Sequence, residues 1–319
     1  MSRILVTGAN GFVGRALCRV LLARGHTVTG LVRKSGSCVR GVAEWVDERA
    51  DFHGLPDNWP EGFAADCVIH LAARVHVMDD KAPDPQAAFR ESNVLGTQRV
   101  AQAAQRHGVR RFVFLSSIKA VAEIDDGRPL DETAEPSPQD AYGCSKLEAE
   151  KMLVQFGSET GMETVIVRPP LVYGPHVRAN FLRMMDVVRR GIPLPLGAVG
   201  ARRSLVYVDN LADALALCAA DPRAANHCFH VADDGALTVP ELLARIGLHL
   251  QRPARLVPVP VAWLRAVGKL TGRTGMIERL TGDLRVDASL IREALGWRPP
   301  HTVDEGLLAT ACWYRSTHD

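Results

Sequence analysis

Apolar residues in the first half of the chain fall into two alternating patterns. The runs Ile4-Leu5-Val6, Thr27–Val32, Cys67–Leu71, Phe112–Leu115 and Thr164–Val167 have the length and β-branched content of buried strands. Helical patterns separate them. Phe12 to Arg24 sets apolar residues at 13, 16, 17, 20 and 21, and Pro85 to His107 reads as a second helix that Gly108 closes. Ala43–Val46 fits a further short strand. Strand, helix, strand at this spacing builds βαβ units, hence a parallel sheet covered on both faces. Beyond Pro169-Pro170, prolines at 175, 193 and 195 break the regularity. Shorter helices (Asn180–Arg190, Asn210–Ala219, Pro240–Leu250) alternate there with brief strands. The expected architecture is a doubly wound α/β unit over residues 1–168 and a smaller C-terminal α/β lobe over 169–319. A strand near Ser204–Val208 is placed to return to the main sheet.

Composition narrows the function classes. The 319 residues are 47% hydrophobic, and 38 basic against 36 acidic residues leave +2, which excludes disorder, collagen and coiled coil. The near-neutral balance without a basic run argues against a nucleic-acid or anionic-membrane surface. No apolar run approaches the roughly 18–20 residues that span a bilayer. Seven scattered cysteines without a CxxC pair imply neither disulfides nor a metal site, and point to a reduced, cytoplasmic protein.

Three groups of residues carry chemistry. The first strand runs into Thr7-Gly8-Ala9-Asn10-Gly11-Phe12-Val13-Gly14, with a helix following at once. Glycines permit a tight turn and let backbone approach a pyrophosphate, which then meets the open N–H groups of the helix. Read alone this is a plain strand-to-helix turn; at the first βα junction it marks a Rossmann-type, NAD(P)-binding domain. The acidic residue that normally holds a ribose 2′-hydroxyl after the second strand is missing, and Arg33 and Lys34 stand there instead. Two cations suit a 2′-phosphate, so NADP(H) is favoured over NAD(H), with two solvated surface charges as the alternative account. Third, Ser116-Ser117 ends the fourth of these strands, and Tyr142 and Lys146 lie one helical turn apart. A tyrosine working as acid/base near neutrality needs its pKa lowered by roughly 3 units, about 4 kcal/mol, and a lysine ammonium beside it pulls in that direction.

With these residues in view, the chain resembles the extended short-chain dehydrogenase/reductases that act on nucleotide sugars. The resemblance rests on the glycine loop, His70-Leu71-Ala72-Ala73, Asn93-Val94-Leu95-Gly96-Thr97, the Ser-Ser strand end and Tyr142-x-x-x-Lys146. It continues through Arg168-Pro169-Pro170-Leu171-Val172-Tyr173-Gly174-Pro175, Leu205-Val206-Tyr207-Val208-Asp209-Asn210 and Leu295-Gly296-Trp297-Arg298-Pro299. It implies Tyr142 as acid/base, Ser117 rather than Ser116 as its hydroxyl partner, and Lys146 as tuning and ribose-binding cation. Gly8, Asn10, Gly11, Phe12, Val13 and Gly14 would cradle the cofactor, with Leu71, Ala72, Ala73 and Pro169 lining its path and Asp47 receiving the adenine amino group. Asn180 and Arg203 would hold the substrate's diphosphate from a substrate-binding lobe. The form Ser-Ser-Ile118-Lys119 resembles a bacterial polysaccharide-biosynthesis subgroup of UDP-sugar 4-epimerases and 4-keto-sugar reductases. Lys119 would then contact sugar or phosphate, with a buried salt bridge as an equally good account.

Three functions compete. The preferred one is an NADPH-dependent 4-keto reductase acting on a UDP-linked sugar. The second is a nucleotide-sugar 4-epimerase with tightly held NAD. The third is a non-catalytic dinucleotide sensor or scaffold, which ranks last because the serine, tyrosine and lysine are all retained. A homodimer is left open. His70, inside an apolar strand, reads as structural, and no histidine pair has metal-ligand spacing. Trp263, Leu264 and Val267 read as lobe packing, and Leu307, Leu308 and Ala311 as the inner face of a final helix.

Overall fold

The computed structural model describes residues 1–49, 51–75 and 84–318. A seven-stranded parallel sheet contains β1 (Arg3–Thr7), β2 (Thr27–Val32), β3 (Ala43–Val46), β4 (Cys67–His70), β5 (Arg111–Leu115), β6 (Glu163–Arg168) and β10 (Cys228–His230). Its order is β3-β2-β1-β4-β5-β6-β10. Chain order reverses between β1 and β4, which opens a crevice at their carboxyl ends, where this topology takes ligands. Thr7 lies opposite Leu31 of β2 and His70 of β4 across that point. Between β6 and β10 come β7 (Leu171–Tyr173), β8 (Arg202–Arg203) and β9 (Leu205–Tyr207), and β11 (Leu237–Thr238) follows.

Alternation along the strands feeds two cores. Ile4 and Val6 join Val28, Ile69, Val113 and Val165 on one face, covered by α1 (Phe12–Ala23) and α6 (Val208–Ala220). Leu5, Leu31, Val68, Phe112 and Phe114 occupy the other, under α3 (Gly96–Arg106) and α4 (Ala141–Thr160). Burial of both faces explains why these strands read as continuous apolar runs. The segment expected as one helix over 85–107 is α2 (Pro85–Arg90), a π-helical turn (Glu91–Leu95) and then α3. Gly108, at φ +72°, turns the chain out of α3.

The expected return strand is displaced. Leu205–Tyr207 pairs with Leu171–Tyr173 in a separate two-stranded parallel sheet, and Cys228–His230 takes the free edge of β6 instead. β9 runs straight into α6, whose Leu211 and Leu215 are wholly buried in the core shared with α1, so its direction is set by the helix. The remaining elements are α5 (Ala179–Arg189), α7 (Val239–His249), α8 (Val261–Leu270), α9 (Thr274–Thr281), α10 (Ser289–Leu295) and α11 (Val303–His318). Two packing expectations fail there. Leu264 is buried but Trp263 and Val267 are exposed, and Leu308 faces solvent while Leu307 and Ala311 pack inward. Among the described residues no helix is long and apolar enough to cross a membrane.

Candidate active site

The crevice begins with the loop between β1 and α1. Gly8 holds φ +69°, and a Cβ on it would lie 3.1 Å from the Ala72 nitrogen. A Cβ on Gly14 would run into the Gly8 carbonyl oxygen and sit 2.8 Å from Ala9 Cα, so helix and loop meet backbone to backbone. The Gly11 N–H closes the turn on the Gly8 oxygen at 2.9 Å. Gly11 offers α1 no side-chain cap, and no acid sits in the first turn. The positive end of the helix therefore faces the crevice open, which fits a dinucleotide pyrophosphate.

Under this loop His70 is fully buried and bonded at both nitrogens, to Thr7 Oγ1 at 2.8 Å and Thr97 Oγ1 at 3.1 Å. The Thr97 hydroxyl donates to the Asn93 carbonyl at 2.6 Å, so it accepts from His70 Nε2–H, and Thr7 donates to Nδ1. Burial pushes the imidazole down to about 3, which keeps that tautomer neutral. Thr7 Oγ1 in turn accepts the Leu71 and Ala72 N–H groups, each at 3.2 Å. The histidine thus sets the chain that lines the crevice and has no free nitrogen for chemistry.

Ser116 and Ser117 part company at the end of β5. Ser116 is buried and bonds Glu150, which pairs with Arg168 through contacts of 3.0 and 2.6 Å. Ser117 turns the other way, receives the Lys119 N–H at 3.2 Å and hydrogen-bonds the Tyr142 phenol. Asp140 starts α4 by accepting the Gly143 N–H at 2.7 Å, and a Cβ on Gly143 would collide with the Lys119 carbonyl oxygen. That close approach sets Tyr142 over Ser117. One turn on, the buried Lys146 ammonium donates to the Leu115 carbonyl at 2.8 Å. It lies 4.5 Å from the Phe114 ring centre and 5.9 Å from that of Tyr142.

Burial governs the ionisation of this pair. It pushes Tyr142 up to about 12, with the Ser117 hydrogen bond pulling the other way. It pushes Lys146 down to about 7, against the attraction of Glu150. Burial outweighs the Ser117 hydrogen bond, so without cofactor the phenol holds its proton firmly.

The other anticipated residues are distributed as follows. Asn10 bonds Ser37 at 3.1 Å, tying the glycine loop to the β2–β3 connection. Asp47 donates its N–H to the Val32 carbonyl at 2.9 Å, at the carboxyl edge beside β2. Pro169 is buried and accepts the Ile118 N–H at 2.9 Å. Arg33 and Lys34 are exposed and make no ion pair among the described residues. Lys119 bonds two carboxylates, Glu123 at 2.8 Å and Asp140 at 2.7 Å, so the salt-bridge account describes it and its ammonium braces the start of α4. Arg203 donates to the carbonyls of Arg279 and Gly282 at the end of α9 (3.1 Å to Gly282). Asn180 is exposed in the first turn of α5. A cleft of ≈ 990 Å³ opens beside Asp140, between residues 122–140 and α9.

Several supports escaped the sequence reading. Glu150 follows Lys146 by four residues on the same helix face, a usable signal, but its partners on β5 and β6 had none. Asn93 clasps both the N–H and C=O of Arg74 and reaches Ser145, pinning the crevice wall to α4. Glu44 receives the N–H groups of Gly36, Ser37 and Cys38 at 2.6, 2.9 and 2.7 Å.

The profile of the NAD dependent epimerase/dehydratase family matches residues 4–232, the span that holds the whole arrangement. The chain belongs to this family. A UDP-glucose 4-epimerase of Vibrio cholerae is 41% identical over 311 residues, covering 97% of this chain and 94% of the relative. A Thermus thermophilus UDP-glucose 4-epimerase solved with NAD superposes with a TM-score of 0.78 at 26% identity, covering 98% and 99% of the two chains. RMD of Pseudomonas aeruginosa, solved with NADPH, gives 0.75 at 24% identity over 99% and 100%. Solved proteins that carry different dinucleotides thus share this fold.

Proposed function

We propose that this epimerase/dehydratase family member is a nucleotide-sugar 4-epimerase that inverts C4 of a UDP-linked sugar on retained NAD(H). The carrying observation is the Ser117–Tyr142–Lys146 arrangement beside the glycine cradle. The Vibrio cholerae relative moves the preference from reductase to epimerase. When bound, the nicotinamide supplies reversible hydride exchange with sugar C4. As the phenolate that Lys146 and the positive charge of a bound nicotinamide would favour, Tyr142 takes the proton of the C4 hydroxyl as the ketone forms and returns it after the sugar presents its other face, so the net redox change is zero. Ser117 holds the same oxygen by a hydrogen bond, which also lowers the cost of a phenolate next to it. Lys146, one turn below, adds positive charge under the ring. Lys119 and Asp140 keep the helix start, and with it the phenol, in place.

A reductase is the second reading, favoured by one observation: Arg33 and Lys34, after the second strand, are exposed and make no ion pair among the described residues, which would suit a 2′-phosphate. Purified protein is incubated with UDP-glucose, and separately with a UDP-4-keto sugar plus NADPH, while absorbance and products are followed. UDP-galactose formed without net cofactor change is expected. Stoichiometric NADPH oxidation by the keto sugar with no epimerised product would replace the epimerase with the reductase.

A further inference from the structure

The whole-chain charge of +2 hides a segment of one sign. Between Glu241 and Glu278 lie Arg245, Arg252, Arg255, Arg265, Lys269 and Arg273, and no carboxylate at all. Only Arg245 of these has an acidic partner among the described residues, Asp304 at 3.2 Å. The same segment leaves large apolar side chains in solvent: Trp263 is 69% exposed, Val267 54% and Leu270 88%.

Helix geometry sorts these side chains. At about 100° per residue, Trp263, Val267 and Leu270 share an arc of roughly 60°. Leu264 and Gly268, the buried residues of α8, lie on a separate arc turned toward the protein, where a Cβ on Gly268 would sit 2.7 Å from Ile277 of α9. Arg265 and Lys269 take the third arc. α8 is thus packed along one stripe, apolar and solvent-facing along a second, and cationic along the third. Isolated exposed apolar residues need no explanation, but three on one stripe of a helix flanked by unpaired cations do.

We infer that the α8–α9 hairpin is a docking surface for an anionic lipid bilayer. The charge decides between occupants. A second copy seated on this stripe would bring Arg265, Lys269 and Arg273 against their own kind, with the single carboxylate of the hairpin, Glu278, to meet three cations. Anionic headgroups supply the missing sign, and the apolar stripe supplies shallow insertion with an indole at the headgroup level. The attachment is peripheral and reversible. It would set α9, whose Gly275, Glu278 and Arg279 line the ≈ 990 Å³ cleft, next to the membrane surface.

The test uses full-length protein sedimented with vesicles of phosphatidylcholine alone or mixed with phosphatidylglycerol, over a salt series. Expected is partition onto the mixed vesicles that fades as salt rises. Each cation near the surface contributes about fivefold, so Arg265→Glu with Lys269→Glu lowers partition by at least about 25-fold. Trp263→Ser with Leu270→Ser weakens it independently, and epimerase turnover on soluble UDP-sugar stays unchanged in both pairs. The proposal is overturned by no partition onto the mixed vesicles at low salt, or by equal partition onto neutral ones. A wild-type dimer that these substitutions split, with no vesicle binding, would also overturn it and assign the face to a second copy.

Discussion

Replacing Lys146 with methionine separates what this residue does for chemistry from what it does to stability. A lysine in an unfolded chain titrates near 10.4, roughly 3.4 units above the value of about 7 that burial imposes on Lys146 in the fold. Between those pH values the unfolded chain holds a proton that the folded protein lacks, so stability rises with pH across the window. Below the window both states are protonated, and the folded state carries a penalty of about 5 kcal/mol at about 1.36 kcal/mol per unit. Methionine keeps the apolar stem against Phe114 and removes the charge. It also leaves the Leu115 carbonyl without its donor, a loss of about 1–2 kcal/mol. The variant without cofactor should therefore be more stable than wild type by about 3 kcal/mol at pH 6.5, and melt roughly 4–5 °C higher. Near pH 10 the order should reverse, because the charge penalty has gone and the missing hydrogen bond remains. Thermal melts of both proteins from pH 6 to 10 measure this. A variant melting at or below wild type at pH 6.5, or retaining the wild-type slope between pH 7 and 10, would refute the assignment of a buried, destabilising amine.

Two further perturbations act on neighbouring atoms. Tyr142→Phe removes the proton carrier and should lower kcat by roughly 10²–10⁴, while dinucleotide affinity, read by fluorescence titration, stays close to wild type. Glu150→Gln strands Arg168, a buried guanidinium with contacts of 3.0 and 2.6 Å to that carboxylate. Unfolding in urea should show a loss of about 3–5 kcal/mol, and a loss under about 1 kcal/mol would mean the pair is solvated.

What the sequence disclosed depended on whether the determining contact was local. β1, β2 and the glycine loop are legible because buried parallel strands must be apolar throughout and because a Cβ on Gly14 has no room. Ser117, Tyr142 and Lys146 are legible because one strand end and one helical turn fix their relation. The π-helical turn at 91–95 is not, since one extra residue per turn leaves the apolar spacing of a single helix nearly intact. Nor is the return strand Cys228–His230: three residues carry little pattern, and the unpaired edge of β6 selects them. Helical periodicity on α8 also fails to tell which stripe is covered. Trp263 and Val267 offer the larger apolar area, yet the protein packs on Leu264 and Gly268, because only the glycine lets α9 approach.

The end of β2 shows how a missing residue can be supplied from elsewhere. Arg33 and Lys34 carry the charge a 2′-phosphate wants, and the absent strand-end acid made NADP(H) the sequence preference. In the fold a carboxylate arrives from β3, where Glu44 stands in register with Gly30. Its oxygens take the amides of Gly36, Ser37 and Cys38, and chiefly the Cys38 amide holds its carboxyl below the usual range. Successive amide N–H groups in such a turn form the kind of nest that binds a phosphate. Here the nest is filled by the protein's own anion, so a 2′-phosphate would find two exposed side-chain cations and would have to approach a fixed negative charge. Screening by solvent leaves the exposed pair little to offer on its own. On the epimerase reading proposed above, such a loop would suit a ribose with free hydroxyls better than a phosphorylated one.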